Sequence, residues 1–162
     1  MIEFEPDRIY LTESGYRQLE AELKRLQTVE RARIAEEFRA YKEHGEFSSE
    51  DTELESLKSE LAFVEARIME LRNVLQNAII VRNEDIPTDR VGVGSVVTVE
   101  EVNTGTRKQF RIVGAMEADP EQHKLSYQAP VGRALLGHQV GDVVEVNLPK
   151  GTFHYRIMSI EK

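Results

Sequence analysis

The chain contains no cysteine and no tryptophan among its 162 residues. The lack of cysteine excludes disulfide bonds, thiolate metal sites and cysteine nucleophiles, and it suits a reducing compartment. No apolar run approaches the roughly 20 residues that a membrane-spanning helix needs. The first residues, MIEFEPDRIYLTESG, also lack the basic and apolar regions of a secretory signal peptide. We therefore expect a soluble, cytoplasmic protein that does not contact a membrane.

Acidic residues outnumber basic ones, 29 to 21. The formal net charge is −8, of which −7 falls on the first 80 residues and −1 on the remainder. An acidic chain repels phosphate backbones, so we do not expect generic DNA or RNA binding as the main activity. One run, residues 24–42, is locally basic, with six basic and three acidic residues. We interpret it as a solvated helix face.

Complete enzyme motifs are absent as well. The four histidines show no metal-ligand spacing, and the chain has neither a P-loop nor a GxSxG motif. The segment GVGSVV at 92–97 lacks the third glycine of a dinucleotide fingerprint and precedes a predicted strand rather than a helix. We therefore expect the chain to have no catalytic residues of its own.

A regular heptad repeat runs through residues 54–78. Its spacings alternate between three and four without a break, and no glycine or proline interrupts it. Such a repeat predicts a helix that packs along one seam against a partner helix. The repeat consists of Leu54, Leu57, Leu61, Val64, Ile68, Leu71, Leu75 and Ala78.

The preceding segment, residues 12–43, supplies the partner helix. It has no proline and a single glycine, Gly15, and either Thr12 or Ser14 can cap its start. Gly45 suits the left-handed position that ends a helix. Two helices joined by a short turn must be antiparallel, so we predict a hairpin with arms of roughly 40–45 Å at 1.5 Å per residue. The apolar stripe of this arm comprises Tyr16, Leu19, Leu23 and Leu26, continued less regularly by Val29, Ile34, Phe38 and Tyr41.

The pattern changes after residue 80. The segment NEDIPTDRVGVG reads as a linker, and short runs rich in β-branched residues follow it, with one short helical run between them. We predict an α+β protein with a helical hairpin at 1–80, a linker at 81–94 and a small antiparallel sheet domain with one short helix at 95–162. The predicted strands are 95–102, 109–115, 124–128, 142–148 and 152–161, and the predicted helix is 130–137.

The predicted hairpin tip, residues 45–53, is strongly acidic. Helix capping and the helix dipole explain some of its carboxylates, but they do not explain Glu46. Exposed carboxylates are ligands for hard cations such as Mg²⁺, and they become effective when a partner supplies the remaining ligands. A second cation beside a catalytic metal activates water in phosphoryl chemistry. The segment HGEFSSEDTELE contains Glu46, Glu50, Asp51, Glu53 and Glu55 and no lysine or arginine.

The chain resembles the bacterial Gre-type transcription elongation factors over nearly its whole length. The resemblance rests on YLTESGYRQLEAELKRL, on EHGEF followed by ARIMELRNVLQNAIIV, and on RIVGAMEAD followed by LSYQAPVGRALLGHQVGDVVEV. It implies an N-terminal antiparallel coiled coil and an FKBP-like C-terminal domain. It also implies a monomer whose C-terminal domain docks at the rim of the RNA polymerase secondary channel and whose tip approaches the catalytic Mg²⁺. Nascent RNA and DNA would be contacted only through the elongation complex.

The tip departs from the family pattern, which reads roughly Gly-Asp-Leu-(basic or polar)-Glu-Asn-Ala-Glu-Tyr. Glu46 takes the place of the first Asp, and one extra residue follows before Glu50 becomes the second acidic position. Asp51 then replaces Asn, and Glu53 is kept. The resemblance implies that Glu46, Glu50 and Asp51 share Mg²⁺ or Mn²⁺ with the polymerase, in the complex only. The polymerase-docking loop is implied to be Gln128, Ala129 and Pro130, with Ala129 in place of the usual Ser.

The direction of the effect on transcription stays open at this point. The longer, more acidic tip resembles the inhibitory, pause-promoting branch of the family at least as much as the branch that stimulates cleavage of backtracked RNA, and we lean slightly to inhibition. Two other classes of function remain. One is a prolyl isomerase or chaperone, suggested only by the FKBP-like domain. The other is a structural coiled-coil adaptor whose acidic turn is merely solvated.

Overall fold

A computed structural model of the protein describes residues 3–43 and 52–162. It divides into two compact units, one formed by the residues up to Tyr16 together with Ala78–Lys162 and the other by Arg17–Asn77. The architecture is α+β, as predicted. The unit boundaries differ from those drawn from the sequence, because the first 16 residues belong with the C-terminal part of the chain rather than with the hairpin.

The helices of the hairpin follow the predicted ranges closely. The first arm consists of α1 (Glu13–Arg25), a π-helical turn (Leu26–Glu30) and α2 (Arg31–Glu43), and the second arm is α3 (Thr52–Asn77). Thr12 caps α1, since its side-chain oxygen accepts the backbone N–H of Gly15 at 3.1 Å. The predicted cap at Gly45 lies outside the described residues.

The predicted seam is mostly buried. On the first arm Leu19, Leu26, Ile34 and Tyr41 are buried, whereas Val29 is 56% exposed and does not belong to the seam. Two heptad positions of α3 differ from the prediction: Leu61 is only half-buried, and Val74 is buried in place of the half-buried Leu75. The last two buried positions of α3, Leu71 and Val74, are therefore three residues apart, whereas the predicted repeat has an interval of four from Leu71 to Leu75. The buried members on α3 are Leu54, Leu57, Val64, Ile68, Leu71 and Val74.

The other unit is built on a five-stranded sheet with strand order β5-β4-β3-β7-β6. All five predicted strands and the short helix are present, with ends that differ by no more than two residues. In chain order the elements of this unit are β1 (Tyr10–Thr12), β2 (Ile79–Val81), β3 (Val96–Glu101), β4 (Arg107–Val113), β5 (Lys124–Ser126), α4 (Pro130–Leu135), β6 (Val143–Leu148) and β7 (Gly151–Glu161).

The sheet is not purely antiparallel, contrary to the prediction. The edge strand β5 pairs in parallel with β4, aligning Ile112 with Leu125. This orientation is possible because the connection from β4 to β5 contains two short 3₁₀ turns, Ala115–Glu117 and Pro120–Gln122, rather than a hairpin. A parallel pair needs a crossover connection, whereas a two-residue turn can only join antiparallel strands.

Short segments directly before α1 and after α3 form a small two-stranded sheet that was not predicted from the sequence. Strands β1 and β2 pair in parallel, with Tyr10 opposite Ile79. Residues 81–94, predicted to be a linker, also belong to the folded unit, since Ile86, Val91 and Val93 are buried in its core. The segment was interpreted as a linker because Pro87 and two glycines are typical turn formers. The apolar side chains between them are nevertheless buried.

The core of this unit combines side chains of the sheet with those of β1 and α4. Fully buried side chains come from β3, β4, β7 and α4, and Tyr10 of β1 belongs to the same apolar cluster. No helix among residues 3–43 and 52–162 is long and apolar enough to cross a membrane. The residues with no exposed surface at all include Val97, Val99, Ile112 and Leu135.

Candidate functional site

Of the four predicted tip residues, the structure places one. Glu53 lies in the first turn of α3 and is exposed, where a carboxylate complements the helix dipole. Glu46, Glu50 and Asp51 lie outside the described residues. Among residues 3–43 and 52–162, no group of three or more histidines and carboxylates is arranged to hold a metal ion.

Ion pairs between the two arms flank the apolar seam. Arg31 donates to both carboxylate oxygens of Glu65, each at 2.7 Å, and Arg67 donates to both oxygens of Glu22 at 2.9 and 3.1 Å. The hydrogen bonds from Arg31 lower the pKa of Glu65. Bidentate pairs add directional specificity to a contact, so these two pairs favour one alignment of α3 against the first arm.

The basic run at 24–42 behaves as a solvated helix face, as predicted. Its arginines are engaged by nearby carboxylates at the surface of the hairpin. Arg33 contacts three carboxylates, those of Glu30, Glu37 and Glu60, and these contacts raise the pKa of its guanidinium. Positive charge that is neutralised in this way is poorly suited to bind a nucleic-acid backbone.

The predicted docking loop is presented by the connection between β5 and α4. Gln128 and Pro130 are exposed and Ala129 is half-buried. Pro130 occupies the first turn of α4, a position that its fixed φ favours, and Ala129 accepts the backbone N–H of Arg133 at 2.8 Å. The loop therefore presents Gln128 and Pro130 to solvent, while its role in docking remains a prediction.

Backbone hydrogen bonds hold this loop in place. The side-chain oxygen of Ser126 accepts the N–H of Gln128 at 3.0 Å, and its carbonyl accepts the N–H of Ala129 at 3.1 Å. Gly132 lies directly over the Ser126 carbonyl, where a Cβ atom would overlap the oxygen. A loop tied down in this way offers a preorganised surface, which reduces the entropy lost on binding.

Tyr127 anchors the loop from beneath, and the sequence analysis missed it. Its ring is 5% exposed and packs edge-on against Phe4 and Tyr10, with centroid distances of 5.2 and 6.1 Å. Its hydroxyl donates to the carbonyl of Arg8 at 3.1 Å. Burial raises the pKa of this phenol. An aromatic residue directly before the loop was the only signal available in the sequence.

A second missed feature is a carboxylate at the start of α1. Glu117 is 7% exposed, and it accepts the backbone N–H of Thr12 at 2.9 Å and the hydroxyl of Thr12 at 2.5 Å. Gly15 lies so close that a Cβ atom there would overlap the Glu117 carboxyl. Gly15 is the only glycine of the first arm, and that was the sequence signal for a close approach.

We expect Gly15→Ala to destabilise the protein by about 1–3 kcal/mol through overpacking. Helix propensity alone favours alanine over glycine by roughly 1 kcal/mol, so the sign of the effect identifies the steric contact. Chemical denaturation of both proteins measures the difference. In a Glu117→Ala background the same substitution should cost much less, and an equal cost in both backgrounds would contradict the contact.

A cleft of about 700 Å³ also opens on the sheet unit. Its lining is apolar in part, with the rings of Phe4 and Tyr10 among aliphatic side chains, and it also contains charged residues. The charged residues are Glu3, Asp85 and Arg90. Clefts of this size can hold small ligands. It is the place at which the alternative of a prolyl isomerase would have to be tested.

Comparison with known proteins gives consistent matches along the chain. The family model described as "Transcription elongation factor, N-terminal" matches residues 9–80, and that described as "Transcription elongation factor, GreA/GreB, C-term" matches residues 86–162. Transcription elongation factor GreA of Acetivibrio thermocellus is 42% identical over 154 residues, covering 95% of this chain and 96% of its own length. GreA of Clostridium kluyveri is 41% identical over 152 residues, covering 94% and 95%.

Among solved structures, GreA factor homolog 1 (Gfh1) of Thermus thermophilus is 36% identical and covers 96% of this chain and 99% of its own. The TM-score is 0.41. This superposition is too loose to carry an argument, so the similarity to Gfh1 rests on sequence identity.

Proposed function

Because the chain belongs to the GreA/GreB family of transcription elongation factors, we propose that it binds RNA polymerase at the rim of the secondary channel. In this proposal the sheet unit docks and the acidic tip of the helical hairpin acts on the catalytic centre. The protein is an accessory regulator of elongation, pausing and transcript cleavage. It works as a monomer in the cytoplasm and meets nucleic acid only within the elongation complex.

The observation that carries this proposal is the match of both family models, which together span nearly the whole chain. The described residues add two supporting features. In the docking loop Gln128 and Pro130 are exposed, Ala129 is half-buried, and hydrogen bonds hold the loop. The hairpin arms bury their seam against each other, so the seam needs no second chain.

The chemistry of the tip fits a divalent cation. Carboxylate oxygens are the ligands that Mg²⁺ and Mn²⁺ prefer, and Glu46, Glu50, Asp51 and Glu53 supply four such groups. A cation shared with the polymerase would activate water or stabilise the leaving oxygen. The role of this chain is to bring negative charge to that centre. The cation is held only in the complex, because the polymerase supplies the remaining ligands.

We propose that the effect is inhibitory, slowing synthesis and cleavage and promoting pauses. By its resemblance to the family pattern, the tip carries one additional residue, and Asp51 stands where that pattern has a neutral Asn. An additional carboxylate competes for the catalytic metal, or repels the phosphates of the incoming nucleotide.

The opposite sign, stimulation of cleavage of backtracked RNA, is favoured by a different observation: the relatives at 41–42% identity are named GreA. Adding the protein to a backtracked complex and following the RNA 3′ end distinguishes the two.

The docking surface is tested by Pro130→Asp. The substitution places a carboxylate in a partly apolar contact and should weaken binding to polymerase on the order of tenfold or more. Aspartate at the first turn of α4 is compatible with the helix, so the fold should persist. Fluorescence anisotropy with labelled protein measures the affinity.

Pro149→Asp is the matched control for this variant. Pro149 is exposed in the turn between β6 and β7. Its replacement by Asp therefore makes the same chemical change at a different surface. Its affinity for polymerase should equal that of the wild type. Equal affinities for all three proteins would place the docking surface elsewhere.

A further inference from the structure

The first arm of the hairpin contains a π-helical turn at Leu26–Glu30. The N–H of Arg31 donates to the carbonyl of Leu26, five residues earlier instead of four. Such turns are rare and mark a place where the chain holds one residue more than a regular α-helix requires. The hydroxyl of Thr28 donates to the carbonyl of Lys24 at 2.7 Å, a side-chain bond that supports a locally widened helix.

The buried positions of this arm show what the additional residue does. The buried seam residues are Leu19, Leu26, Ile34 and Tyr41. They are separated by seven, eight and seven residues, so the one irregular interval contains the π-helical turn. Seven residues of a regular helix bring the chain back to within about 20° of its starting direction, whereas eight overshoot by about 80°.

A regular helix through this interval would rotate the segment after it by about one residue. Arg33 would then face the seam in place of Ile34. Arg33 now contacts the Glu60 carboxylate at 2.7 Å and is 40% exposed in its side chain. Burying its guanidinium against apolar side chains without that partner is costly. The π-helical turn prevents this by absorbing the surplus residue.

We infer that the π-helical turn is a one-residue insertion that keeps α1 and α2 in phase with the same seam of α3. The chain should therefore tolerate the loss of one residue within Leu26–Glu30 and not within α2. This inference concerns the arm itself. Its link to the tip, which follows α2 in the chain, rests on the proposed function.

The test compares two single-residue deletions in the full-length protein. Deleting Val29, which is 56% exposed, should convert the turn to regular α-helix and restore a spacing of seven between Leu26 and Ile34. Deleting Ala35, an exposed residue of α2, should shorten the spacing between Ile34 and Tyr41 to six and rotate Tyr41 off the seam. Helical circular dichroism at 222 nm during thermal unfolding reports on both.

We expect the protein lacking Val29 to unfold within roughly 2 °C of wild type and the protein lacking Ala35 to unfold at least about 5 °C lower. Val29→Ala, which keeps the chain length, should behave as wild type. Equal destabilisation by the two deletions would overturn the inference, because the additional residue would then not be confined to the π-helical turn.

A second readout uses the effect on polymerase. The protein lacking Val29 should retain both binding and the tip-dependent change in transcript cleavage. Normal stability and binding with loss of that effect would overturn a role in phasing alone. If wild-type protein has no effect on polymerase, the proposed function fails, while the unfolding measurements still decide the inference about the arm.

Discussion

Replacing Glu46, Glu50 and Asp51 together with alanine should abolish the influence of this protein on polymerase catalysis without weakening its binding. We expect the change in cleavage rate of backtracked RNA to shrink about 10- to 100-fold, the range typical for the loss of groups that support a metal site. The physical reason is that carboxylates at the end of an arm act only on a nearby cation. In the proposed function, binding energy comes from the docking loop instead.

A charge-matched variant controls for the change in net charge. Glu20, Glu121 and Glu145 are exposed carboxylates away from the predicted tip, and their replacement by alanine removes the same three negative charges. This variant should act as wild type. If both triple variants lost the effect equally, long-range electrostatics would explain it better than the tip.

The inhibitory sign predicts a dependence on the divalent ion. If tip carboxylates compete for the catalytic metal, raising the Mg²⁺ concentration or substituting Mn²⁺ should relieve the inhibition, because competition for an ion can be titrated. A wild-type protein that speeds cleavage would instead establish the stimulatory alternative. A triple tip variant that inhibits as strongly as wild type would leave steric blockage of the channel as the cause.

The second large effect is expected in the hairpin seam. Ile68→Ala should lower the free energy of unfolding by about 2–5 kcal/mol, because Ile68 is 1% exposed and its truncation leaves a cavity. Urea denaturation followed at 222 nm measures this. Truncating Leu61 to alanine should lower the free energy of unfolding by less. Leu61 was predicted to lie in the same heptad but is only half-buried.

Met69→Ala is the matched control, since Met69 is the next residue of α3 and is 71% exposed. It should change the free energy of unfolding by less than about 0.5 kcal/mol. The midpoint of the transition should also be independent of protein concentration, because the two arms belong to one chain. A midpoint that rises with concentration would indicate pairing between protomers instead.

The elements that repeat a local pattern could be predicted from the sequence. The heptad of α3 and the apolar stripe of the first arm determined the hairpin, and runs of β-branched residues determined the five main strands. The docking role of Gln128, Ala129 and Pro130 comes from the resemblance to a family and remains a prediction. The tip carboxylates at Glu46, Glu50 and Asp51 remain a prediction.

Other features depend on contacts between distant residues and left little local trace. The pairing of β1 with β2 joins Tyr10 to Ile79 across nearly 70 residues of chain. The contact of Glu117 with Thr12 likewise brings together segments far apart in the chain. Neither the parallel edge strand β5 nor the π-helical turn follows from propensity, because each depends on which partner surface is available.

The sequence by itself therefore determined the hairpin, the sheet strands and the family of this protein, because helical and strand periodicity and local motifs are properties of neighbouring residues. Only the tertiary structure decided which seam positions are fully buried. It also showed that residues 81–94 are folded and that Glu117 packs against Gly15. These features arise when distant segments compete for the same buried space, where close packing allows one side chain at each position.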